Sequence, residues 1–451
     1  MAIKLTVVVL YMLVLILIGA IASRRMKNVR DYFAAGKSLN FWAVAFSARA
    51  TGESAWLLLG LTGLVAAFSL VIFVTIYVSA QIDATGKAFN GFLGWNYYAG
   101  VFTGFGVVLV YIVSGGFLAV VGSDVFQGSL MFLGLVALPI VGIAAAGGWG
   151  PIAEGLRAQD PGLLTPWGPD GFSGMALLTA GGLAMIGLGF LGSPQIFVRF
   201  LALRSEKEIG RGAAVALTWT LLADSGAVLT GMVGRHLYVS RGDVVTEVLK
   251  SGGEGVLPML VDGLLPTVFV GLAIAVVLSA IMSTVDSLLV VASSAFVRDY
   301  YQKVRHPELP DDQLVGLSRK TTFALAIAAL LIALTVAVLS PNRTVFWFVI
   351  FGWSGIAATF CPTIILSLCW RGLTARGAMA AMITGFVSVP LFKFLAPEVP
   401  GIGRGLAALE ELPPSFAMGF LAAVIVGLTD RRGRERIAAQ VTEDLEEAGR
   451  A

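Results

Sequence analysis

The sequence predicts an all-α membrane protein with about twelve spanning helices. Hydrophobic residues make up 57% of the 451 residues and charged residues only 13%. The mean hydropathy is +0.86, which is typical of polytopic membrane proteins. Apolar stretches of roughly 20 residues, the length that crosses a bilayer as a helix, recur from Leu5 to Leu428. With this hydropathy, the lipid bilayer is an expected partner. The net charge of +3 is small, so nucleic acid is not an expected partner.

The apolar stretches divide the chain into spans and a tail. The first stretch is followed by arginine and lysine and carries no small-residue cleavage site, so we expect a retained helix and not a signal peptide. Residues 1–429 form one predicted transmembrane domain, and 430–451 form a charged cytoplasmic tail. The predicted spans are 4–23, 41–64, 65–82, 101–121, 126–147, 175–198, 213–234, 265–297, 321–340, 345–369, 377–395 and 413–429.

The basic loops set the expected orientation and indicate a gap. Lysine and arginine concentrate in the tail and in the loops 24–37, 199–211, 298–320 and 371–376. The positive-inside rule places these loops, and with them the C-terminus, in the cytoplasm. From 199–211 onward, successive basic loops are separated by even numbers of spans, but five spans separate 24–37 from 199–211. This parity predicts either a missing span after Gly63 or a segment 41–64 that enters the membrane without crossing it.

Five motifs follow one another along the chain. They are Arg30–Leu39 with Ser54–Leu61, Gly115–Val120 with Asp124 and Gln127, Gly187–Pro194 with Arg199 and Phe200, Met282–Thr284 with Ser287–Leu289, and Gly352–Gly355 with Arg376–Ala378. In this order and spacing they resemble the sodium/solute symporter family, in particular its sodium/proline symporter branch. The resemblance covers nearly the whole chain except the stretch after Gly63, where family members carry about sixty more residues.

The resemblance implies a leucine-transporter-like fold of two inverted five-helix repeats, with substrate and sodium held near the middle of the membrane. The repeats would be about 41–147, which lacks one helix, and about 175–369. The residues themselves favour a break in the first helix of each repeat, because polar residues interrupt 41–64 and glycines and a proline interrupt 175–198. Carbonyl groups that are freed at such breaks can coordinate a cation.

Sodium is the coupling ion that the resemblance implies, and no organic cofactor is expected. Hydroxyl and carbonyl oxygens suit such a cation, and Ser283 and Thr284 are the hydroxyl candidates. By resemblance, the carbonyl groups of Ala50, Glu53 and Ala280 complete the site. The alternative is that both hydroxyls only donate to carbonyl oxygens one turn earlier, as is common in membrane helices.

The resemblance also implies the substrate positions, which are Ser54, Trp56, Tyr77, Ile186 and Phe190. Aromatic rings can stack on the apolar part of an amino acid and stabilise an ammonium group. The alternative is that these rings only pack helices or face lipid. Two positions that are hydrogen-bonding aromatic residues in the proline branch are Ile186 and Phe190 here, so proline and a different small amino or organic acid are both candidates.

Four ionisable residues stand inside predicted spans: Arg49, Glu53, Asp224 and Asp286. Each charge would cost about 3 kcal/mol at the bilayer centre unless it were paired or hydrated. Arg49 and Glu53 are four residues apart and can pair on one helix face. We expect Asp286, one turn after Ser283, to face the ion pathway or to pair with Arg49.

The sequence therefore predicts sodium-coupled symport of a small solute, foremost an amino acid such as proline, by alternating access in a bacterial inner membrane. It does not predict an enzyme. Cys361 and Cys369 are eight residues apart in one apolar segment, where a disulfide is not expected. The alternative is a transport-incompetent truncated homologue or a membrane sensor, because a missing helix would leave surfaces of 41–64 unsupported and the product misfolded or inactive.

Overall fold

The computed structural model describes residues 2–25, 62–168, 171–201, 205–239, 250–310 and 313–435, together with residues 203 and 437. All elements in these ranges are helices. The α-helices are α1 Ala2–Arg25, α2 Thr62–Leu93, α3 Tyr97–Ala145, α4 Trp149–Gln159, α5 Gly174–Ala184, α6 Pro194–Leu201, α7 Ile209–Val239, α8 Val256–Leu264, α9 Thr267–Ser294, α10 Leu314–Leu339, α11 Val345–Cys369, α12 Ala375–Pro390, α13 Gly403–Leu409 and α14 Leu412–Thr429. Short 3₁₀ helices are Pro161–Leu164, Met185–Leu191, Glu206–Glu208, Lys250–Gly253 and Ala396–Glu398, and π-helical segments are Ala295–Arg305 and Leu391–Leu395.

The predicted spans correspond to apolar helices. Within the described ranges, nine helical stretches are long and apolar enough to cross a membrane, and Ala2–Ile18 and Tyr97–Val113 are shorter apolar helices. These eleven stretches match eleven of the twelve predicted spans. The twelfth span, 41–64, lies almost entirely outside the described residues. The chain is therefore an all-α integral membrane protein, as predicted.

Two predicted spans, 101–121 and 126–147, are joined without a loop in α3, which has 49 residues. This helix must bend between the two spans, because the side chains of Tyr111 and Ser123 both donate to one carboxylate oxygen of Asp286, at 2.8 and 3.4 Å. Twelve residues of a straight helix would separate them by about 18 Å. The stretch between them contains Gly115 and Gly116. The two spans are present as predicted, but the backbone between them stays helical.

Helices α9 and α11 form the centre of the bundle. In α9 every residue from Ile281 to Ser293 is buried, and in α11 every residue from Gly352 to Ile364 is buried. A helix that is buried on all sides needs neighbours on all sides. Accordingly, α9 contacts α1, α2, α3 and α10, and α11 contacts α2, α12 and α14.

The predicted break in 175–198 is confirmed. Helix α5 ends at Ala184, a 3₁₀ segment follows over Met185–Leu191, and α6 begins at Pro194. Proline suits the first turn of a helix because it lacks an N–H group. At Gly189 the neighbouring helix α11 approaches so closely that a Cβ atom would lie 2.4 Å from the Trp353 ring. The break is therefore packed against the central helix.

Short helices that the sequence analysis did not predict lie between the spans. Helices α4 and α8 are 11 and 9 residues long, so a search for membrane-length apolar stretches misses them. Ile152, Leu156 and Leu260 form a small separate core with Val233 of α7. The basic segments 298–320 and 371–376 follow the C-terminal ends of α9 and α11, so α8 and the turn 340–344 lie at the opposite end of the bundle.

Candidate functional site

Three residues of the predicted sodium site are neighbours on α9. The hydroxyls of Thr284 and Ser283 both donate to the carbonyl oxygen of Ala280, at 3.0 and 3.3 Å. Ser283 is fully buried and Thr284 is 7% exposed. Both hydroxyls therefore make the hydrogen bonds to an earlier carbonyl oxygen that the alternative describes, here called back-bonding. These bonds do not exclude a bound cation. Each hydroxyl oxygen keeps lone pairs when its hydrogen is donated, so three oxygens are gathered at one place on the central helix.

A cavity of about 1560 Å³ reaches this place. Helices α2, α3, α7, α8 and α9 line it, and its walls are mainly apolar. Thr284 is the lining residue of α9 that lies nearest the basic end of the bundle, and Lys87 and Glu254 line the cavity toward the opposite end. The cavity thus extends from the oxygen cluster of α9 toward the end of the bundle that lacks the basic loops.

Asp286 lies on α9 one turn beyond Ser283 and is fully buried. Its Oδ2 atom accepts hydrogen bonds from Tyr111 and Ser123, and its Oδ1 atom accepts one from Ser287 at 3.2 Å. Hydroxyl donors of this kind satisfy a carboxyl group that burial has removed from water. The predicted pair with Arg49 lies outside the described residues.

A buried ion pair adjoins this carboxyl group. Arg199 and Asp124 are both fully buried, and the Arg199 Nη2 atom lies 2.9 Å from the Asp124 Oδ2 atom. The same Nη2 atom donates to the Ser287 hydroxyl at 2.5 Å, and Nη1 donates to the Gln195 carbonyl oxygen at 2.7 Å. Since Ser287 also bonds to Asp286, the network ties α3, α6 and α9 together. Removing one member of a buried charge pair is far more costly than removing a surface charge.

Three predicted substrate residues converge on a fourth residue, Trp353 of α11. The Trp353 indole N–H donates to the Ile186 carbonyl oxygen at 3.0 Å. The ring centroids of Phe190 and Trp353 are 4.9 Å apart, and the Tyr77 ring meets the indole edge-on at 6.4 Å. Phe190 is 39% exposed, whereas Trp353 is 5% exposed. The cluster presents an aromatic surface beside the helix break.

One described residue of the predicted site, Asp224, is not brought into this arrangement. Asp224 is exposed near the middle of α7. Outside the described residues lie Arg49, Ala50, Glu53, Ser54 and Trp56. Their predicted roles therefore stay predictions.

Sequence analysis missed the roles of Trp353, Tyr111 and Arg199. Trp353 and Arg199 lie in motifs that it identified, but nothing local indicated that they would meet Ile186 and Asp124. Tyr111 lies in an apolar stretch and carries no signal of its own. A polar or aromatic residue within an apolar motif is the signal that could have marked the first two.

Comparisons with known proteins agree with the resemblance that the motifs indicated. A family model described as "Sodium:solute symporter family" matches residues 64–385. The high-affinity proline transporter PutP of Bacillus subtilis is 31% identical, with 95% of this chain and 98% of that protein covered. The osmoregulated proline transporter OpuE of the same organism is 28% identical, with 94% of each covered. The sodium/proline symporter of Escherichia coli is 27% identical, with 93% of this chain and 91% of that protein covered.

A solved structure is similar in fold. It is a Na⁺-coupled sialic acid symporter in a substrate-bound, outward-open state, and the TM-score is 0.70 at 17% sequence identity. The similarity covers 95% of this chain and 97% of that one. The fold is therefore that of the sodium symporters, as the motifs predicted.

The alignments also bear on the predicted gap. The alignment with PutP spans 490 positions, whereas 95% of these 451 residues supplies about 428, so about sixty positions have no residue here. The number agrees with the predicted missing segment. The family match begins at residue 64, next to Gly63.

Proposed function

The chain belongs to the sodium:solute symporter family, and on this premise we propose that it couples uptake of a small amino acid, with proline as the first candidate, to the entry of sodium. The observation that carries the proposal is the oxygen cluster of Ala280, Ser283 and Thr284 beside the cavity. Three neutral oxygens bind a monovalent cation without holding it too tightly to release. The carbonyl groups of Ala50 and Glu53 would complete the site.

Proline fits the aromatic cluster. Its pyrrolidine ring is apolar and would lie against the exposed face of Phe190 and the edge of Trp353, near Tyr77. Relatives with similarity over most of the chain are named as proline transporters. Ile186 offers no side-chain hydrogen bond, so we expect recognition through ring contact and through polar groups of Ser54 and Trp56. A small amino acid with another apolar side chain is the competing substrate.

The transport cycle would follow from the two predicted repeats, about 41–147 and 175–369. Alternating access rocks one set of helices against another around a central site. The broken span α5–α6 is suited to this because its 3₁₀ segment supplies a bend at the site. The protein would lie in a bacterial inner membrane with the basic loops and the C-terminus in the cytoplasm.

Asp286 would assist the ion pathway without contacting the oxygen cluster directly. It lies one turn farther toward the basic end, where a sodium ion would leave for the cytoplasm. Its three hydroxyl partners hold the carboxyl group in place. An Asp286→Asn variant is expected to change the sodium dependence of uptake, and an unchanged dependence would remove Asp286 from the pathway.

The second candidate function is that of a transport-incompetent homologue. The observation that favours it is the shortfall of about sixty aligned positions relative to PutP. In this fold the helix expected there belongs to the moving bundle, and its loss would disturb alternating access.

The test is uptake of labelled proline by cells that lack their own proline transporters. Uptake should require sodium and be lost when potassium replaces it. Unlabelled amino acids and small organic acids, added in turn as competitors, rank the substrate classes. Absence of sodium-dependent uptake of every solute, in cells whose membranes contain the protein, would favour the transport-incompetent homologue.

A further inference from the structure

Four charged side chains meet at the end of the bundle opposite the basic segments. Two are acidic and two are basic, so their charges cancel. They are Asp83, Lys87, Glu254 and Arg343. Asp83 and Lys87 lie on α2, whereas Glu254 and Arg343 lie in the segments that precede α8 and α11. The cluster thus joins the first half of the chain to the second.

The first ion pair is between Asp83 and Arg343. The Arg343 Nε atom donates to the Asp83 Oδ1 atom at 3.0 Å, and Nη2 donates to the same oxygen. Tyr97 donates to that oxygen at 2.6 Å, and its ring lies 5.6 Å from the guanidinium carbon. Burial lowers the pKa of Arg343, but the contacts with Asp83 and Tyr97 outweigh it and raise the pKa above its usual value.

The second ion pair is between Lys87 and Glu254. The Lys87 Nζ atom lies 2.8 Å from the Glu254 Oε2 atom and donates to the Arg343 carbonyl oxygen at 2.7 Å. The other carboxylate oxygen of Glu254 accepts from the backbone N–H of Val345, the first residue of α11. A carboxylate at a helix N-terminus is favourable. Glu254 therefore links Lys87 of α2 to the start of a central helix.

The two pairs differ in their exposure to water. The Asp83 side chain is fully buried and that of Arg343 is 10% exposed, whereas the side chains of Lys87 and Glu254 are 23% and 27% exposed. A partly hydrated pair exchanges its partner for water at little cost, whereas a buried pair does not. Lys87 and Glu254 are also the two of these four residues that line the cavity.

The backbone before Glu254 is suited to movement. Gly252 and Gly253 have φ angles of +70° and +84°, a region that glycine adopts without strain. Two consecutive glycines of this kind can act as a hinge when the path of the loop changes. A rotation there would withdraw Glu254 from Lys87 while the buried pair held the turn 340–344 in place.

We propose that the Lys87–Glu254 ion pair is a gate at the outer mouth of the cavity, anchored by the buried Asp83–Arg343 pair. When the pair is formed, it closes the path from the outside to Thr284. When it separates, the path opens. The alternative is that the ion pair only stabilises the fold. In that case, breaking it would leave the accessibility of the cavity unchanged, whereas breaking a gate would raise it.

The test measures access to the cavity by a membrane-impermeant thiol reagent. Cys361 and Cys369 are free cysteines, and both are first replaced by alanine. A reporter cysteine is then placed at Ala273 of α9, a partly buried residue that lines the cavity. The labelling rate from the outside is measured in membrane vesicles of known orientation. The gate rests on the proposed transport function, but labelling requires no transported solute, so a failure of transport leaves this test intact.

We expect Lys87→Met and Glu254→Gln each to raise the labelling rate by about fivefold or more, the low end of typical coupling between sites. The conservative variant Lys87→Arg keeps a cation opposite Glu254 and should leave the rate near that of the parent. Glu410→Gln is the matched control, because Glu410 pairs with Lys393 at 3.1 Å at the same end of the bundle without lining the cavity. Unchanged rates in both single variants, or an equal rise in the Glu410→Gln control, would overturn the gate.

Discussion

The indole N–H of Trp353 donates to the carbonyl oxygen of Ile186, so the central helix α11 holds the break between α5 and α6 in position. A second contact at the break has the same effect, because the Cys361 thiol lies 3.4 Å from the Gly189 carbonyl oxygen. Two carbonyl groups of this break, those of Ile186 and Gly189, therefore accept hydrogen bonds from α11. The proposed sodium ligands lie instead on the unbroken helix α9 and, by prediction, in 41–64.

Trp353→Phe removes the hydrogen bond and keeps an aromatic ring. Loss of one such bond costs about 1 kcal/mol, which corresponds to a rise of about fivefold in the KM for proline. The maximal rate should change less, because the ring contacts remain. Initial uptake rates over a range of proline concentrations check this, with Trp347→Phe at the 40% exposed start of α11 as the control. Equal KM values in the parent and both variants would remove Trp353 from the site.

Thr284→Ala removes one proposed sodium ligand. The sodium concentration for half-maximal uptake should rise about tenfold, the effect of losing about 1.4 kcal/mol of binding free energy. Thr335→Ala is the matched control, because the Thr335 hydroxyl donates to the Leu331 carbonyl oxygen at 2.8 Å on an exposed face of α10. If back-bonding is the whole role of Thr284, both variants will have the sodium dependence of the parent.

Gly189→Ala places a methyl group 2.4 Å from the Trp353 ring. The indole or the helix break must move, at a cost of about 1–3 kcal/mol in stability. We expect a lower Tm in detergent and loss of proline uptake. Gly187→Ala, two residues earlier, meets no atom within 4 Å and should leave uptake nearly unchanged. A Gly189→Ala protein with the Tm and uptake of the parent would contradict the packing described.

Arg199→Met leaves Asp124 as a buried charge without its guanidinium partner. The expected loss of stability is about 3–5 kcal/mol, seen as a large fall in Tm. The double variant Arg199→Met/Asp124→Leu removes both charges and should recover most of it. Lys303→Met breaks a pair with Asp299 in which the lysine is 42% exposed, and it should cost less than about 1 kcal/mol. Similar Tm values for Arg199→Met and Lys303→Met would contradict the importance of the buried pair.

Sequence reasoning was most successful where the signal was local. The run of glycines before Pro194 predicted the break, and the structure has a 3₁₀ segment there. Hydropathy located eleven spans, because the length of apolar sequence needed to cross a bilayer is fixed by the bilayer itself. The bend within α3 was less predictable, because it has no polar loop and its backbone stays helical.

Contacts between distant segments could not be read from one sequence. Trp353 and Ile186 are 167 residues apart, and Arg199 and Asp124 are 75 residues apart. Nothing in the residues around Trp353 specifies which helix break it will meet, because that depends on how α11 and α5–α6 pack. The same holds for Asp83 and Arg343, 260 residues apart, which the sequence analysis did not single out.

Sodium-driven accumulation of proline in reconstituted liposomes is the most direct test of the proposed function. Purified protein is incorporated into proteoliposomes, and labelled proline is followed under an inward sodium gradient or an equal potassium gradient. We predict accumulation above the external concentration with sodium alone, and its loss in the Ser283→Ala/Thr284→Ala variant. Proline uptake that is equal under both gradients, or absent both from this chain and from a version with a family-type span inserted after Gly63, would contradict sodium-coupled proline symport.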